Sequence, residues 1–518
     1  MTKHPERTAA LLVLSILALF LHELPGSNVY SRLDLVYAIG ETGRLSIDPY
    51  HGNTIDKSYH EGHYYSDKAF GASFLGVLPY LLLEALSAGF DPPEAFFRWG
   101  VTFLTISLPS AWLILLLLRS FSPESPPLEG CGRLFAFLVA LGYAFGTPAF
   151  PFATLFFGHQ LAGIFLFFSF LVLWRRRGHW GWATVFAAGL LSGAALLTEY
   201  PTGLLIGWIG LYLLWERRSI RLLGLFSVAA ILLPIVLVGW YNAFCFGDPL
   251  TFGYRTHAFA YFQEEMSHGF MGITYPRLSA LLTILFSPSR GLFFLSPFLL
   301  LLFPALLRLW RQERSLAVMI GGMGATALLF NAAYYQPGGG YSFGPRHIVP
   351  LLPFLVVPIV RAGAGWGRGW RMMVTCALLA WSIAAATLAN VTDPLFPDTF
   401  ENPLYAFSTR LLLWNGANDT LLRCFGLSAG WSLLLIAAVT LGVPGVLLLR
   451  GKCRAGAIGW GGGLLLFGGF LLSSAALSPA DALDRQKLGN YLHQRGDLSR
   501  AIALYTSALP ERSHDPYL

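Results

Sequence analysis

Residues 221–241 read RLLGLFSVAAILLPIVLVGWY, a run that carries no charge after Arg221. A helix needs about 20 predominantly apolar residues to cross the hydrocarbon core of a bilayer. This run meets that requirement, and similar runs recur along most of the 518 residues. The pattern predicts an all-α polytopic membrane protein.

The composition excludes a soluble domain as the main body of the chain. Charged residues make up 12% and hydrophobic residues 55% of the sequence, whereas a soluble domain carries about 25% charged residues. The net charge of +7 does not indicate nucleic-acid binding, because the arginines stand in short clusters between apolar runs. The 5 cysteines are scattered without a CxxC pair, so neither a disulfide framework nor a metal site is predicted.

The candidate membrane spans are oriented by the positive-inside rule, with arginine clusters marking the cytoplasmic turns. Lys3 and Arg7 place the N-terminus inside, and we interpret the first segment as a retained helix, because no small-residue cleavage site follows it. One crossing too many then precedes residue 174, so 12–14 spans are expected. The segments are 8–24, 71–89, 99–118, 133–147, 152–174, 181–198, 203–215, 221–241, 291–307, 315–333, 347–360, 372–389, 427–449 and 456–476. The outer side holds 25–70, 243–290, 334–346, 390–426 and the tail after 477.

The first outer loop, residues 25–70, is rich in acids, tyrosines and histidines. Residues 30–42 predict a short amphipathic helix that ends at Gly43. Asp34 and Glu41 fall on one face of that helix, roughly 10 Å apart. An isolated acid at an interface is more often solvated than catalytic, so position alone leaves both roles open for Asp34.

Three cations, Lys68, Arg290 and Arg346, stand where outer loops enter membrane segments. This arrangement suits a lipid-linked anion whose headgroup lies at the interface, since arginine offers a planar fork to phosphate oxygens and lysine a compact charge. The alternative is that these side chains reach toward lipid headgroups, which is the commoner role of cations at helix ends.

Glu199 lies near a span boundary, where an unpaired acid is costly. We therefore expect it to pair with an arginine or to belong to the site. Further candidate substrate-binding residues in the outer loops are Glu41, His63, Tyr65, Asp67 and Tyr341.

The tail from residue 479 has the composition of a soluble segment, and we treat 1–478 and 479–518 as two domains. Its leucines and small residues follow the spacing of one tetratricopeptide repeat, with Gly496 and Asp497 as the turn between two helices. One repeat buries little apolar surface, so the hairpin is expected to dock on a protein partner or on the outer loops. The alternative is an amphipathic tail lying on the membrane.

Four stretches, taken in order, resemble bacterial glycosyltransferases of the GT-C superfamily. The resemblance is to the group of the protein O-mannosyltransferases and the lipid A aminoarabinose transferase, which use polyprenyl-phosphate sugars. The first stretch comprises SRLDLVY at 31–37 and GHYYSDKA at 62–69, the second lies within 241–254, and the last two are FSPSRGL at 286–292 and GGYSFGPR at 339–346.

The resemblance implies a GT-C type bundle in the bacterial inner membrane, with the active site facing the periplasm. It implies that Asp34 is the catalytic carboxylate and that Lys68 and Arg346 bind the donor phosphate. Two positions depart from the family pattern. Leu35 stands where many relatives carry a second acid, and Phe70 stands where relatives tend to have proline.

The chemistry can also be built from the residues. A sugar on a polyprenyl phosphate already carries a good leaving group, so it needs cations on the departing phosphate and one carboxylate to accept the acceptor's proton. One aspartate, one lysine and one arginine suffice, and we expect inversion at the anomeric carbon with no cofactor and no metal. The acceptor could be a lipid, a glycan or a protein.

Two other functions remain open from the sequence. A transporter or flippase for a lipid-linked substrate would place charges along its interior at mid-membrane, whereas the charges here gather at the outer face. A scaffold that recruits partners through its tail would not need the acid-rich first loop.

Overall fold

The computed structural model describes residues 4–121, 131–413, 419–477, 482–494 and 498–508. Each of the predicted membrane segments contains helix, because a continuous apolar run can satisfy its backbone in lipid only within a helix. The first helix ends at Leu17, earlier than the predicted boundary at residue 24.

The helices from the N-terminus to the middle of the chain are α1 (Pro5–Leu17), α2 (Ser27–Tyr37), α3 (Gly71–Leu86), α4 (Glu94–Thr102), α5 (Leu108–Phe121), α6 (Cys131–Gly146), α7 (Ala149–Phe152), α8 (Gly158–Arg175), α9 (Trp182–Thr198), α10 (Gly203–Arg217), α11 (Ile220–Ser227), α12 (Leu233–Phe246) and α13 (Ala260–Ser267). The remaining helices are α14 (Leu278–Phe286), α15 (Leu292–Leu295), α16 (Leu302–Gln312), α17 (Arg314–Ala333), α18 (Leu352–Trp366), α19 (Gly369–Thr392), α20 (Arg410–Leu413), α21 (Ala429–Thr440), α22 (Gly442–Arg450), α23 (Arg454–Leu477), α24 (Ala482–Gln494) and α25 (Leu498–Ala508).

Within the described residues, 7 helices are long and apolar enough to cross a membrane. Other apolar helices are shorter, or are interrupted where a proline removes a backbone donor. The predicted span 291–307, for example, contains α15 and α16 on either side of a 3₁₀ turn that begins at Pro297. The 7 helices are Glu94–Phe121, Gly158–Arg175, Ile220–Phe246, Arg314–Ala333, Gly369–Thr392, Ala429–Arg450 and Arg454–Leu472.

Helix α19 lies deep in the bundle and packs against α23 over much of its length. Two glycines on α23 allow the backbones to approach closely, as small residues do at helix interfaces in membranes. A Cβ atom at Gly459 would lie 1.9 Å from the carbonyl oxygen of Met373, and one at Gly463 would lie 2.3 Å from that of Ala377.

The first outer loop folds onto the end of this bundle. Helix α2 is followed by a π-helical turn, Ala38–Thr42, and the predicted stop at Gly43 is confirmed by its left-handed φ of 67°. The helix is nevertheless buried on every side, with Leu33, Asp34 and Leu35 each at 0% exposure. The polar face that the pattern indicated therefore points into protein and not into solvent.

A two-stranded antiparallel sheet, absent from the sequence prediction, completes this loop. Strands β1 (Lys57–His60) and β2 (His63–Ser66) pair with Tyr59 opposite Tyr64. Glu61 and Gly62 form the turn with positive φ angles of 46° and 90°, as a tight hairpin turn requires.

The tail forms a hairpin of α24 and α25, which pack closely because a Cβ at Gly489 would lie 2.7 Å from the ring of Tyr505. The predicted turn at Gly496 and Asp497 lies outside the described residues. The hairpin rests on the segment that follows α19. Tyr491 donates a hydrogen bond to Asp393, and its ring centroid lies 4.7 Å from that of Phe407.

Candidate active site

Asp34 occupies the middle of the buried helix α2. Its Oδ1 accepts a hydrogen bond from Asn53 Nδ2 at 3.1 Å, while Oδ2 has no hydrogen-bond partner in the described part of the chain. Burial raises the pKa of Asp34 to about 7, because a low-dielectric environment disfavours the charged form. A carboxyl group with this pKa can accept a proton near neutral pH.

Lys68 lies between two carboxylates at the end of β2. Its Nζ is 2.9 Å from Asp56 Oδ2 and 2.8 Å from Asp67 Oδ2. Burial opposes the charge, but the two carboxylates outweigh it and hold the pKa of Lys68 above its usual value. The lysine is therefore a fixed cation.

Lys68, Asp56 and Asp67, here called the Lys68 cluster, lie beside His257, and three of these residues are of types that can bind a metal ion. Asp56, Asp67 and His257 each offer one ligand atom, and these atoms lie within 4.8 Å of one another. His257 Nε2 lies 3.9 Å from Asp67 Oδ2. Because the ammonium group of Lys68 already lies between the two carboxylates, a divalent cation would have to displace it. That the site needs no metal ion stays a prediction.

Two connections tie Asp34 to the Lys68 cluster. Ser31, one turn before Asp34 on α2, donates to Asp67 Oδ1 at 3.3 Å. Asn53 contacts Asp34, and Asp56, three residues later, contacts Lys68. The structure thus brings the predicted base and the predicted cation into one region.

Arg346 completes the positive side of this region. A Cβ at Gly339 would lie 2.6 Å from Arg346 Cγ. The glycine loop, residues 338–340, can therefore pack against the arginine only because glycine has no side chain. Arg346 makes no hydrogen bond or ion pair with the described residues, and its Nε is buried and unpartnered. Burial raises the pKa of Asp56, but Lys68, and after it Arg346, outweigh burial and hold that pKa below its usual value. Arg346 therefore acts on the same carboxylate as Lys68.

The predicted pairing of Glu199 with an arginine is confirmed. Its Oε1 accepts from Arg32 Nη2 at 2.5 Å and lies 3.4 Å from His159 Nδ1. A Cβ at Gly158 would lie 2.4 Å from the same oxygen, so glycine is needed there. Since Arg32 stands two residues before Asp34, the pair anchors α2 at the level of the site.

The other candidate residues hold the outer loops together. Glu41 accepts hydrogen bonds from Tyr50 and Tyr80, and the Nδ1 atom of His63 lies 2.7 Å from Asp48 Oδ2. The Tyr65 ring packs on Phe246, with centroids 5.5 Å apart. Their predicted roles in substrate binding stay predictions.

Arg290 lies beside the same glycine loop but is already engaged. Its Nη1 donates to the carbonyl of Ser342 at 3.0 Å, and its Nη2 donates to that of Phe396 at 2.7 Å. Tyr341, the neighbour of Ser342, is 49% exposed. In this arrangement the guanidinium joins two loops and does not face an open position.

Sequence reasoning missed four contributors to the site: Asn53, Asp56, Arg32 and His257. The sequence did contain a signal for Asp56, which is one of the acids of loop 25–70, but nothing distinguished it from its neighbours. Asn53 and His257 acquire their roles only through contacts made in the folded chain.

No family model matches this chain, and no curated protein matches it. Among solved structures, the fold is similar to ArnT from Cupriavidus metallidurans in the apo state. The TM-score is 0.51 at 17% sequence identity, and the match covers 89% of this chain and 74% of that chain. ArnT from the same organism bound to undecaprenyl phosphate gives a TM-score of 0.47 at the same identity and coverage. The match to the apo structure shows that the chain shares the fold of ArnT over most of its length.

Proposed function

We propose that this protein transfers a sugar from a polyprenyl-phosphate donor to an acceptor hydroxyl at the periplasmic face of the bacterial inner membrane. The observation that carries the proposal is that Asp34, a buried carboxylate with an unpartnered oxygen, is linked through Ser31 and Asp67 to the fixed cation Lys68. Arg346 adds a second cation that acts on the same cluster. This is the minimum set that such a transfer requires, and it lies at one end of a bundle of apolar helices.

The reaction proceeds as a single displacement. The acceptor oxygen forms a bond to the anomeric carbon while the bond from that carbon to the phosphate oxygen breaks. The acceptor's proton passes to Oδ2 of Asp34, which acts as the general base. Attack on the face opposite the leaving group inverts the anomeric centre.

The departing phosphate is stabilised by fixed cations. Arg346 presents donors that no described residue uses, and the ammonium group of Lys68 is held in place by its two carboxylates. Preorganised charges of this kind stabilise developing negative charge without reorganisation cost. No divalent ion is needed in this scheme. Full loss of activity in EDTA, restored by magnesium or manganese, would overturn that part of the proposal.

The anchoring pair and Arg290 have supporting roles in this proposal. The Arg32–Glu199 pair positions α2 and therefore Asp34. Arg290 braces the loop that carries Arg346, because its donors are engaged by the carbonyls of Ser342 and Phe396.

The proposal is tested by mass spectrometry of envelope glycans and lipids from cells with the wild-type protein, with Asp34→Asn and without the protein. We expect one glycosylated product in the wild-type cells and its loss in both other strains. A product that is unchanged without the protein would contradict the proposal. If Asp34→Asn cells kept the product, only the assignment of the base would fail.

A further inference from the structure

An open cleft lies beside the Lys68 cluster, between the β1–β2 hairpin and the segment that follows α12. Its volume is about 380 Å³, which is within the range of binding sites for small molecules. Its walls include Tyr59 and Tyr64 from the hairpin and Arg255, His257 and Gln263 from the opposite side. Of these five residues, only His257 also belongs to the proposed transfer site.

The walls of the cleft are fixed before any ligand arrives. Ser58 Oγ donates to the carbonyl of Gly253 at 2.7 Å, and Ala258 N donates to the carbonyl of Lys57 at 2.9 Å. A Cβ at Gly253 would lie 2.7 Å from Ser58 Oγ, so the two walls meet at a position that requires glycine. The cleft is therefore a built feature and not a gap between mobile loops.

Two tyrosine rings form an aromatic platform in the cleft. Tyr59 and Tyr64 are paired across the two strands, with ring centroids 5.1 Å apart and ring planes tilted by 51°. The His51 ring stacks on Tyr64 at 4.1 Å and keeps it in place, while Tyr59 remains 49% exposed. The flat C–H face of a sugar packs on such a ring, and its hydroxyl groups need polar partners at the rim.

The polar rim includes an unused cation. Arg255 is exposed, and its guanidinium makes no hydrogen bond or ion pair with any residue that the structure describes. Gln263 is tied to the same wall, because its Nε2 donates to the carbonyl of Arg255 at 2.8 Å. A guanidinium beside an aromatic platform favours a carbohydrate that carries a carboxylate or a phosphate.

The cleft has the position that an acceptor requires. On one side, His257 lies 3.9 Å from Asp67, the partner of Lys68. On the other side, Lys57 Nζ lies 5.1 Å from the Tyr64 ring centroid, and its charge acts on Asp34. The cleft therefore borders the Lys68 cluster through His257.

A peptide fits this cleft less well. Peptides commonly bind by adding a strand to an open sheet edge. The outer edge of β1 is occupied by Ala258, and that of β2 by Ile47, whose amide donates to the carbonyl of Tyr64 at 2.8 Å. Neither edge of the hairpin is free where it borders the cleft.

We infer that the cleft between Tyr59, Tyr64 and Arg255 binds the acceptor and that this acceptor is a carbohydrate with an anionic substituent. The assignment of the cleft as an acceptor site rests on the proposed function. The binding itself can be measured without any donor.

The test measures binding of tetragalacturonic acid and of its fully methyl-esterified form to the full-length protein in detergent or nanodiscs. Wild type should bind the acid more tightly than the ester. Tyr59→Ala should weaken both, and Arg255→Gln should weaken only the acid, by about tenfold or more, because a charged hydrogen bond is lost. Two exposed residues outside the cleft, Tyr275 and Arg44, supply the matched controls Tyr275→Ala and Arg44→Gln, which should bind like wild type.

Equal binding of acid and ester by wild type, no binding of either at millimolar concentration, or unchanged binding in both cleft variants would overturn the inference. Transfer to peptide hydroxyls with a KM that rises in the cleft variants would also overturn it, in favour of a peptide acceptor. If binding behaves as expected while no transfer is found with any donor, the proposed function fails and the carbohydrate site stands.

Discussion

Asp34 is fully buried, and its burial lowers the stability of the folded protein at neutral pH. Its carboxyl group has a pKa of about 7 in the folded protein against a usual value of 3.8. Because the folded pKa is the higher one, the native state loses stability as the pH rises between these values. A residue that costs stability and leaves one oxygen unpartnered is more readily explained by chemistry than by packing.

Asp34→Asn is expected to lower the transfer rate by about two to four decades, because it removes the base and keeps the shape. The same variant should unfold at an equal or higher temperature at pH 8, since it removes a buried charge. Parallel measurements on Glu61→Gln, which alters an exposed acid of the same loop, should show wild-type activity. Turnover above about a tenth of wild type would contradict the assignment.

The transfer rate should rise with pH and reach half its maximum near pH 7, because only the ionised form of Asp34 accepts a proton. The hydrogen bond from Asn53 lowers the pKa of Asp34, so Asn53→Ala should move the midpoint to higher pH. The pH profiles of kcat/KM for the two proteins provide the measurement. A profile that is flat between pH 5 and 9 would show that another group is the base.

Lys68→Met and Arg346→Met should each raise the KM for the donor by about tenfold or more, since each removes a charged contact to phosphate. Arg346 gives the cleaner result, because it forms no ion pair with the described residues, whereas Lys68→Met also removes the cation that lies between Asp56 and Asp67. Thermal unfolding of each variant separates the two effects. Unchanged donor binding in both variants would contradict the assignment of these two residues to the donor phosphate.

At the scale of elements, the first outer loop combines helix α2, the 51–53 turn and the β1–β2 hairpin. Each element contributes a different group to the site: α2 contributes Asp34, and the segment around β1 and β2 contributes Asp56 and Lys68. Asn53 is exposed although its partner Asp34 is fully buried. The turn therefore covers the proposed base from the outside.

The tail hairpin is held on residues 393–407 by a few specific contacts, among them the hydrogen bond from Tyr491 to Asp393. Tyr491→Phe removes one hydrogen bond to a carboxylate, worth about 1.5–3 kcal/mol. Limited proteolysis should then release the tail about tenfold faster, because cleavage follows the population of the open form. Tyr505→Phe, which removes a hydroxyl bonded to Asn490 inside the hairpin, serves as the control, and equal release rates in the two variants would contradict the prediction.

At the scale of the whole molecule, α19 connects the bundle interior to residues 393–400. It packs against α23 on the inside, and the segment that follows it contacts both Arg290 and the tail. Residues 393–400 therefore support two parts of the molecule. They contact Arg290, which also bonds to the loop that carries Arg346, and they contact the tail hairpin.

Residues 482–508 should lie on the same side of the membrane as the proposed active site. Arg450, Lys452 and Arg454 indicate a cytoplasmic turn before α23, so that helix delivers the tail to the outer side. In a Cys424→Ser background, Ser507→Cys should react with an impermeant thiol reagent in cells with a permeabilised outer membrane, as Glu61→Cys should in the first outer loop. Reaction of Ser507→Cys only after lysis would place the tail in the cytoplasm.

The amino-acid sequence alone determined the features that depend on local pattern. The membrane helices follow from apolar length, because backbone groups in lipid can be satisfied only within a helix. The end of the α2 region at Gly43 follows from the freedom of glycine at positive φ. The tail hairpin follows from its spacing of small and apolar residues.

Only the tertiary structure decided which polar groups meet. Arg32 and Glu199 are 167 residues apart in the chain, and the segment carrying His257 reaches Asp67 only because β1 is bonded to it. A buried polar group needs a partner, but neither composition nor spacing says which one, since the choice depends on how distant helices pack. For the same reason neither the unpartnered oxygen of Asp34 nor the cleft beside the Lys68 cluster could be predicted from the sequence.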